Sequence, residues 1–500
     1  MTGIADTAAI LEAARVLKRE GNLPGAADLL GKALPQDPGN ADIALALADV
    51  LVALERQPAA LGIVDLLLQH RPDHLLAMVA KARLLLLIGY NAEAADLARH
   101  CSQVQPERAD IWALLAAAAH ADGRIDEARL AAKQALHRDP GNAAALGTLG
   151  HLAAERGDAA KARDFYRKAL ALKPKDARLH YMLGLANLLL GDLPEGWAGY
   201  AWRHQVKPPF TAHFGCGLPD WPGIPLLPGQ RLLVWGEQGL GDEILFASLL
   251  PELLKRQRDA LLYCEPRLVP LFARSFPDIE VVGRHDGFDP AAHGLTHQVS
   301  SADLGGLFRA RITDFPWHDG YLRADPARVA HYRAKYEAML PPAMRETGFI
   351  LGIAWRSGNP ALGHYKSGGL ADFAPLLERS DCLCVTLQYG DTAAERAVMA
   401  RPPYHDVEVD PLVAPDEQAA QIAALDGIVS TSNSAVHLAG ALGKPGWVLL
   451  PAARGTQWYW GSQGDATPWY PSLRLLRAAV GEGPAAQLDR RLREIGTPPG

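Results

Sequence analysis

Cysteine is scarce in this chain. Five residues, Cys101, Cys216, Cys264, Cys382 and Cys384, are scattered over 500 positions. Cys382 and Cys384 lie two apart in a strand-like run and so share a face, but no second close pair or His cluster accompanies them. A zinc cluster and a disulfide framework are therefore not indicated. An excess of positive charge is also missing: 50 Lys and Arg stand against 56 Asp and Glu, a net charge of −6. Without a basic stripe, nucleic acid is not the expected partner. No apolar run reaches membrane-spanning length. The opening stretch, MTGIADTAAILEAARVLKRE, reads as an amphipathic helix carrying Asp6, Glu12 and Glu20, and not as a signal peptide. The expectation is a cytoplasmic protein of several domains with no membrane span.

Repetition is what the chain has in quantity. Prolines fall at Pro38, Pro72, Pro106, Pro140 and Pro174, each 34 residues after the last. In each period a small residue marks the first helix: Ala14, Ala48, Ala82, Ala116, Gly150 and Gly184. Ala26, Ala60, Ala94, Ala128 and Ala162 mark the second. The turn between them carries Gly21, Gly89, Gly123, Gly157 or Gly191, while the second unit has Glu55-Arg56-Gln57 in that place. This grammar is the tetratricopeptide signature. It predicts an α-solenoid over residues 1–203, about six units, whose last unit from Ala177 to Arg203 ends in GWAGYAWRH instead of proline. Such arrays offer a concave surface to a protein partner. No catalytic constellation stands out within it.

Helical periodicity stops over residues 204–230, where Pro208, Pro209, Pro219, Pro222, Pro225 and Pro228 punctuate the chain. Phe210, Phe214 and Trp221 make this a packed connector in preference to a free tether. Beyond it, short apolar runs alternate with helices, the pattern of parallel α/β sheets. Strands at Arg231–Trp235, Ala260–Cys264, Ile279–Val282 and Thr296–Val299 would build a first domain over 231–342. A mixed-charge helix, Pro326 to Leu340, and Pro341-Pro342 precede a second domain over 343–500, with strands from Phe349, at Leu383–Gln388, Val407–Val409, Gly427–Val429 and Trp447–Leu450, and a C-terminal helix.

Three stretches carry candidate chemistry. Gly427–Leu450, GIVSTSNSAVHLAGALGKPGWVLL, is a β-turn-α-β unit whose helix begins with Ser432, Asn433 and Ser434. Free N–H groups and hydroxyls at a helix start suit a phosphate, although helix capping is an equal role for these residues. The strand Arg231–Trp235 runs into GEQGLGDE, which places Asp242 on a glycine-rich turn beyond a strand end, where ligands of parallel sheets sit. A first-turn acid facing the helix dipole is the competing role. After Trp355, a polar loop carries Arg356 and Lys366, cations suited to a phosphate.

GEQGLGDE at 236–243, GIAWRSGN at 352–359, SNSAVHLAGALGKP at 432–445 and PWYPS at 468–472 together resemble the bacterial tetratricopeptide-repeat glycosyltransferases, whose catalytic half is similar to the lipopolysaccharide heptosyltransferases. The resemblance implies a GT-B type pair of Rossmann-like domains facing a cleft, the second holding a nucleotide-sugar. It also suggests comparison with the O-linked N-acetylglucosamine transferase, which joins such repeats to a similar half and modifies proteins. By position it makes Asp242 the general base and puts Ser432, Asn433 and Ser434, followed by His437, at the diphosphate-binding turn. Lys366, or failing that Arg356, would be its cation. The chain departs from the heptosyltransferase pattern by having Ser432-Asn433 where that family has Asp-Thr, so donor identity does not carry over.

The reading implied is inverting, metal-independent transfer of a sugar from a nucleotide-sugar co-substrate, with no further cofactor, to a hydroxyl of a protein recruited by the repeats. By analogy with systems that modify flagellar and surface proteins, flagellin is the acceptor to try first. Gln238 and Gly241 beside Asp242, with Trp458 and Trp469, would line a base or sugar pocket. A non-catalytic nucleotide-sugar-binding scaffold, a glycan- or lipopolysaccharide-directed transferase and a two-domain epimerase are the alternatives. Self-association is left open.

Overall fold

The computed structural model describes residues 2–206, 214–344, 348–359, 362–479 and 481–491. Pro208, Pro209 and Phe210 of the connector, Pro360 and Ala361 of the polar loop, and residues 492–500 lie outside them. The chain divides into two compact units, one of Met1–Ala153 with Asp164–Lys175, the other of Ala154–Arg163 with Asp176–Gly500.

The first unit is a stack of antiparallel helix pairs such as Ala41–Ala53 with Gln57–His70, Leu75–Leu87 with Asn91–Val104, and Ala109–Ala121 with Ile125–Arg138. Side chains of Asn22, Asn40 and His74 accept from Gly25 N, Ile43 N and Ala77 N, satisfying free N–H groups at three helix starts. The small residues of the repeat lie where helices touch. Ala26, Ala60, Ala94 and Ala128 are wholly buried, and a Cβ on Gly150 would stand 2.4 Å from the Tyr166 ring. Each inter-helix turn needs a left-handed residue: Gly21, Gly89 and Gly123 have φ of 79°, 89° and 78°. Glu55 holds the equivalent place with φ 60°, so the second unit keeps the turn without its glycine.

A left-handed conformation costs an ordinary residue roughly 1 kcal/mol, part of which glycine gives back through its freer unfolded chain. Glu55→Gly should therefore raise the stability of the array by up to about 1 kcal/mol, and Gly123→Ala should lower it comparably. Urea unfolding followed by far-ultraviolet circular dichroism checks both. A lower midpoint for Glu55→Gly would contradict this account of the turn.

The second unit holds two all-parallel sheets. Strands β1 (Arg231–Trp235), β2 (Ala260–Cys264), β3 (Glu280–Gly283) and β4 (Leu295–Ser300) run in the order β3-β2-β1-β4. Strands β5 (Phe349–Ala354), β6 (Cys382–Thr386), β7 (Gly427–Thr431), β8 (Gly446–Leu450) and β9 (Leu473–Arg477) run β6-β5-β7-β8-β9. Every ladder is parallel, so crossovers must cover the faces. Burial follows the two-residue period: Leu232 and Val234 join one core, Leu233 and Trp235 another on the opposite face. The first of these cores also takes in Trp197 and Tyr200 of helix α1 (Leu193–Tyr200), continuing through both sheets. An N-terminal tetratricopeptide solenoid thus precedes a C-terminal region of parallel α/β elements.

The connector packs along β4. Trp221 N donates to Gln298 O and Gln298 N to Pro219 O, at 2.7 and 3.0 Å, while Phe214 packs 5.4 Å from Tyr263. Three local expectations need correction. Val407–Val409 is a turn, not a strand, because buried Asp406 accepts from Glu408 N and from Lys335 and Tyr336, leaving Val407 85% exposed. The helix after β1, expected as one run from Ile244 to Arg256, starts at Leu240, inside the GEQGLGDE motif, and breaks before Pro251; its first piece is α2 (Leu240–Ala247). The second sheet also ends in β9, the run LRLLR, where no strand was expected.

Candidate active site

The site is built from strand ends. In the first sheet the chain leaves β1 towards β2 and β3, then returns to add β4 on the other side. In the second it leaves β5 towards β6 and returns to add β7. Loops that part at such switch points leave a crevice beyond the carboxyl ends of the strands. The loops after β1, β5 and β7 carry the candidate residues.

The turn after β1 is held from below. Glu237, 3% exposed, takes two hydrogen bonds from the Arg203 guanidinium, with Nε to Oε2 at 3.0 Å, and one from the Ser300 hydroxyl. Arg203, fully buried, also donates to Asp303 Oδ1 at 2.8 Å and to Tyr200 O at 3.2 Å. Burial alone would raise the Glu237 carboxyl; Arg203 more than offsets this and holds it below its usual range. Gln238 follows in a left-handed conformation, φ 66°, and its amide donates to the Tyr200 hydroxyl. Gly239 and Leu240 then start α2, with Asp242 in its first turn.

The two acids of the motif part company here. Glu243 is buried, ion-paired to Arg284 at 2.6 Å and accepting from Glu265 N at 2.9 Å, so it clasps neighbouring strand ends. Asp242 is half-buried and, among the described residues, its carboxylate accepts one hydrogen bond, from Gly239 N to Oδ2 at 3.2 Å. The helix-start role is thus real, and Oδ1 accepts none among the described residues. Burial pushes the Asp242 carboxyl up to about 6, against the lowering pull of the Gly239 N–H and of the Lys366 charge.

Opposite stands α3 (Ser434–Ala441), which follows β7. Asn433 caps it, accepting from Ala435 N at 3.1 Å, and its amide donates to Arg356 O at 3.1 Å, joining the loops after β5 and β7. The Ser432 hydroxyl is wholly buried, accepting from Trp460 Nε1 at 2.9 Å. These two side chains are committed to the fold. Ser434 is half-buried, and its hydroxyl has no hydrogen-bond partner among the described residues.

The two candidate cations also differ. Arg356 is paired with Glu395 at 3.0 Å and donates to Asp391 O, on the β6 side. Lys366 ends the helical turn Gly363–Lys366, is half-buried, and makes no hydrogen bond or ion pair among the described residues. Burial lowers its pKa, and Asp242 pulls it back up. Its charge also acts on His437, which is 3% exposed and pushed down to about 3, first by burial and then by Lys366. His437 lies against the Asp242 turn so closely that a Cβ on Gly241 would stand 2.8 Å from its Cδ2. Asp242, Lys366, His437 and Gly241 therefore converge, while Arg356 does not join them.

Gln238 stays exposed at the rim of the turn. Trp469 is 4% exposed and packs 4.9 Å from Phe315. Half-buried Trp458 packs 5.3 Å from Trp197 and 5.8 Å from Tyr200. No cluster of three or more His, Cys, Asp or Glu that could hold a metal ion occurs among the described residues. Sequence reasoning passed over Arg203 and Glu237, whose only signal was that the last repeat ends in a different motif from the others. Trp460 and Tyr470, expected with Trp458 and Trp469 at a base or sugar pocket, are almost wholly buried in the core.

Removing one partner of a buried ion pair leaves the other charge uncompensated, at a cost of about 3–5 kcal/mol. Arg203→Met should lower the thermal transition of the α/β unit accordingly, and Arg203→Met with Glu237→Leu should recover much of the loss. An unchanged melting temperature in Arg203→Met would show that the pair does not hold the turn.

A tetratricopeptide-repeat family model matches residues 17–85 and 119–186. Protein FlbA of Caulobacter vibrioides is 28% identical to this chain over 471 residues, covering 81% of this chain and 76% of its own. The uncharacterized protein y4yS of Sinorhizobium fredii is 40% identical over 74 residues, 15% of this chain and 41% of that protein. Among solved structures, the thermophilic tetratricopeptide-repeat protein TTC0263 of Thermus thermophilus is 26% identical, with a TM-score of 0.30, covering 33% of this chain and 90% of that one. The chain thus carries tetratricopeptide repeats, a kind of array that commonly offers a surface to protein partners, and is similar along most of its length to FlbA. No helix among the described residues is long and apolar enough to cross a membrane.

Proposed function

We propose that this chain is a glycosyltransferase of the GT-B type, moving a sugar from a nucleotide-sugar to a hydroxyl of a protein bound by the repeats. The observation that carries the reading is the meeting of Asp242, Lys366 and His437 beyond the strand ends of two parallel sheets. A base tuned near neutrality beside a cation with no ion pair among the described residues suits a reaction that removes a proton at one end and builds negative charge at the other. The acceptor oxygen attacks the anomeric carbon as the bond to the diphosphate oxygen breaks, inverting the centre. The acceptor proton passes to Asp242, and the bonding electrons leave with the nucleoside diphosphate. Lys366, the Ser434 hydroxyl and the start of α3 receive that charge without a metal. With Ser432 and Asn433 committed to the fold, Ser434 is the side chain of this turn left to contact the diphosphate.

Incubation with a panel of nucleotide-sugars, reading nucleoside diphosphate release, tests the reaction. Release should persist in excess chelator. Asp242→Asn should retain donor binding and lose at least about a hundredfold in turnover. The base must be ionised, so kcat/KM in the wild type should climb as pH rises through about 6. The same shift has a stability consequence. An acid whose pKa is raised on folding opposes folding once pH exceeds the unfolded value, and fully so above about 6. Asp242→Asn should therefore melt higher than wild type at pH 7.5, with the difference closing as pH falls towards 4. Near-normal turnover in the Asn variant would remove Asp242 as the base, and a panel with no release would favour a non-catalytic binding module.

The acceptor half of the proposal has its own test. Deleting residues 1–142, which spares Ala154–Arg163 of the second unit, should abolish modification of the intact acceptor, with flagellin tried first, and leave slow donor hydrolysis. The unit from Ala177 must stay, since Tyr200 and Arg203 hold the turn that bears Asp242. Equal rates on the acceptor would show that the array does not recruit it.

A further inference from the structure

Cys382 and Cys384 belong to β6, an edge strand of the second sheet, and take no part in the loops after β1, β5 and β7. The two-residue period of a strand puts both side chains on one face. Their sulfurs lie 3.7 Å apart. Cys384 is 6% exposed and Cys382 half-buried, so the pair is approached from the Cys382 side. The strand holds these sulfurs apart. Cys384 stands opposite Leu351 of β5 on one side; on the other, Tyr404 N donates to Cys384 O and Thr386 N to Tyr404 O, each at 2.8 Å. A backbone tied along both edges keeps its extended rise, which separates the two Cα atoms by about 6.7 Å. That is the outer limit for a disulfide, whose sulfurs must also close to about 2.0 Å. The thiol chemistry agrees with the geometry. The hydrogen bond with Cys382, together with burial, pushes the Cys384 thiol well above its usual range, whereas closing a disulfide calls for a thiolate.

A bridging atom needs neither movement of the strand nor a preformed thiolate. With bonds of about 2.3 Å to each sulfur, the 3.7 Å separation sets an angle of about 107° at the bridging atom. That angle suits a tetrahedral or pyramidal centre; a linear one would need the sulfurs roughly 4.6 Å apart. Structural zinc takes four protein ligands, and no cluster of three or more His, Cys, Asp or Glu occurs among the described residues. Thiolate sulfur favours a soft centre. Trivalent arsenic is soft, pyramidal, and satisfied by two thiolates and one carbon or oxygen substituent. We propose that Cys382 and Cys384 form a dithiol site that binds a trivalent arsenical. With an arsine oxide, the arsenic–oxygen bond breaks, two arsenic–sulfur bonds form, and both thiol protons leave with the oxygen as one water; no electron is exchanged. The site is independent of the nucleotide-sugar reading.

Phenylarsine oxide is the probe. Added to the reduced full chain in the presence of excess glutathione, it should attach as one phenylarsenic group per chain, read by intact mass under non-denaturing conditions. It should protect half-buried Cys382 from maleimide and leave half-buried Cys216 as reactive as before. A 1,2-dithiol should strip it off. Cys382→Ser should lose affinity by at least about a hundredfold, because the second arsenic–sulfur bond is intramolecular and such a link is worth about 10²–10⁴-fold. Cys384→Ala should lose as much, and Cys216→Ser nothing. If Cys384→Ala does not fold, Cys382→Ser at its half-buried position carries the comparison.

Unchanged binding in Cys382→Ser, or attachment at Cys101 or Cys264, would overturn the site. So would a wild type that takes up no phenylarsenic group. Glutathione disulfide supplies the remaining arm. Ready closure of a Cys382–Cys384 disulfide, seen as the loss of two hydrogens in mass with no glutathione retained, would show that the strand does not hold the sulfurs apart, and would overturn the proposal as well.

Discussion

The ion pair between Arg203 and Glu237 is the contact on which the α/β unit depends. Both partners are withdrawn from water, which by itself disfavours each charge. The guanidinium recovers that cost because every acceptor it meets is placed on a different piece of chain: Glu237 after β1, Ser300 at the end of β4, Asp303 beyond it, and the carbonyl of Tyr200. One planar, forked donor thereby fixes the turn after β1 to the neighbouring strand end and to the last repeat helix. Gln238 can hold a left-handed backbone only because its neighbours are so constrained.

Placement sorts residues that look alike in sequence. Asp242 and Glu243 are adjacent acids, yet Glu243 points at Arg284 and Glu265 N while one Asp242 oxygen has no partner among the described residues. Arg356 and Lys366 are cations of one loop, yet Arg356 is spent on Glu395. Ser432 and Ser434 are two apart, and only Ser434 retains a hydroxyl without a partner among the described residues. In each case burial and the partners supplied by distant elements decide, and neither is written in the local sequence.

What was legible follows from the same distinction. The 34-residue period, the buried strands and the glycine-rich turn depend on near neighbours, so they could be read off directly, down to the two-residue alternation of β1. Val407–Val409 misled because two valines suggest a strand, whereas the local geometry is set by Asp406 bonding to Lys335 and Tyr336 some seventy residues away. The His437–Tyr470 hydrogen bond had no local signature at all, since its members lie 33 residues apart and meet only in the fold.

The left-handed residue in each turn of the array has a further consequence. Because every hairpin carries its own bend, at Gly21, Glu55, Gly89 or Gly123, and each unit rests only on its neighbours, no turn stores information about the number of units. A whole 34-residue unit can be gained or lost by duplication without altering the geometry of any other hairpin. The last unit is exempt, since Tyr200 and Arg203 belong to the site's foundation. Array length can thus change without disturbing the turn after β1, which is tied to the last unit through Tyr200 and Arg203.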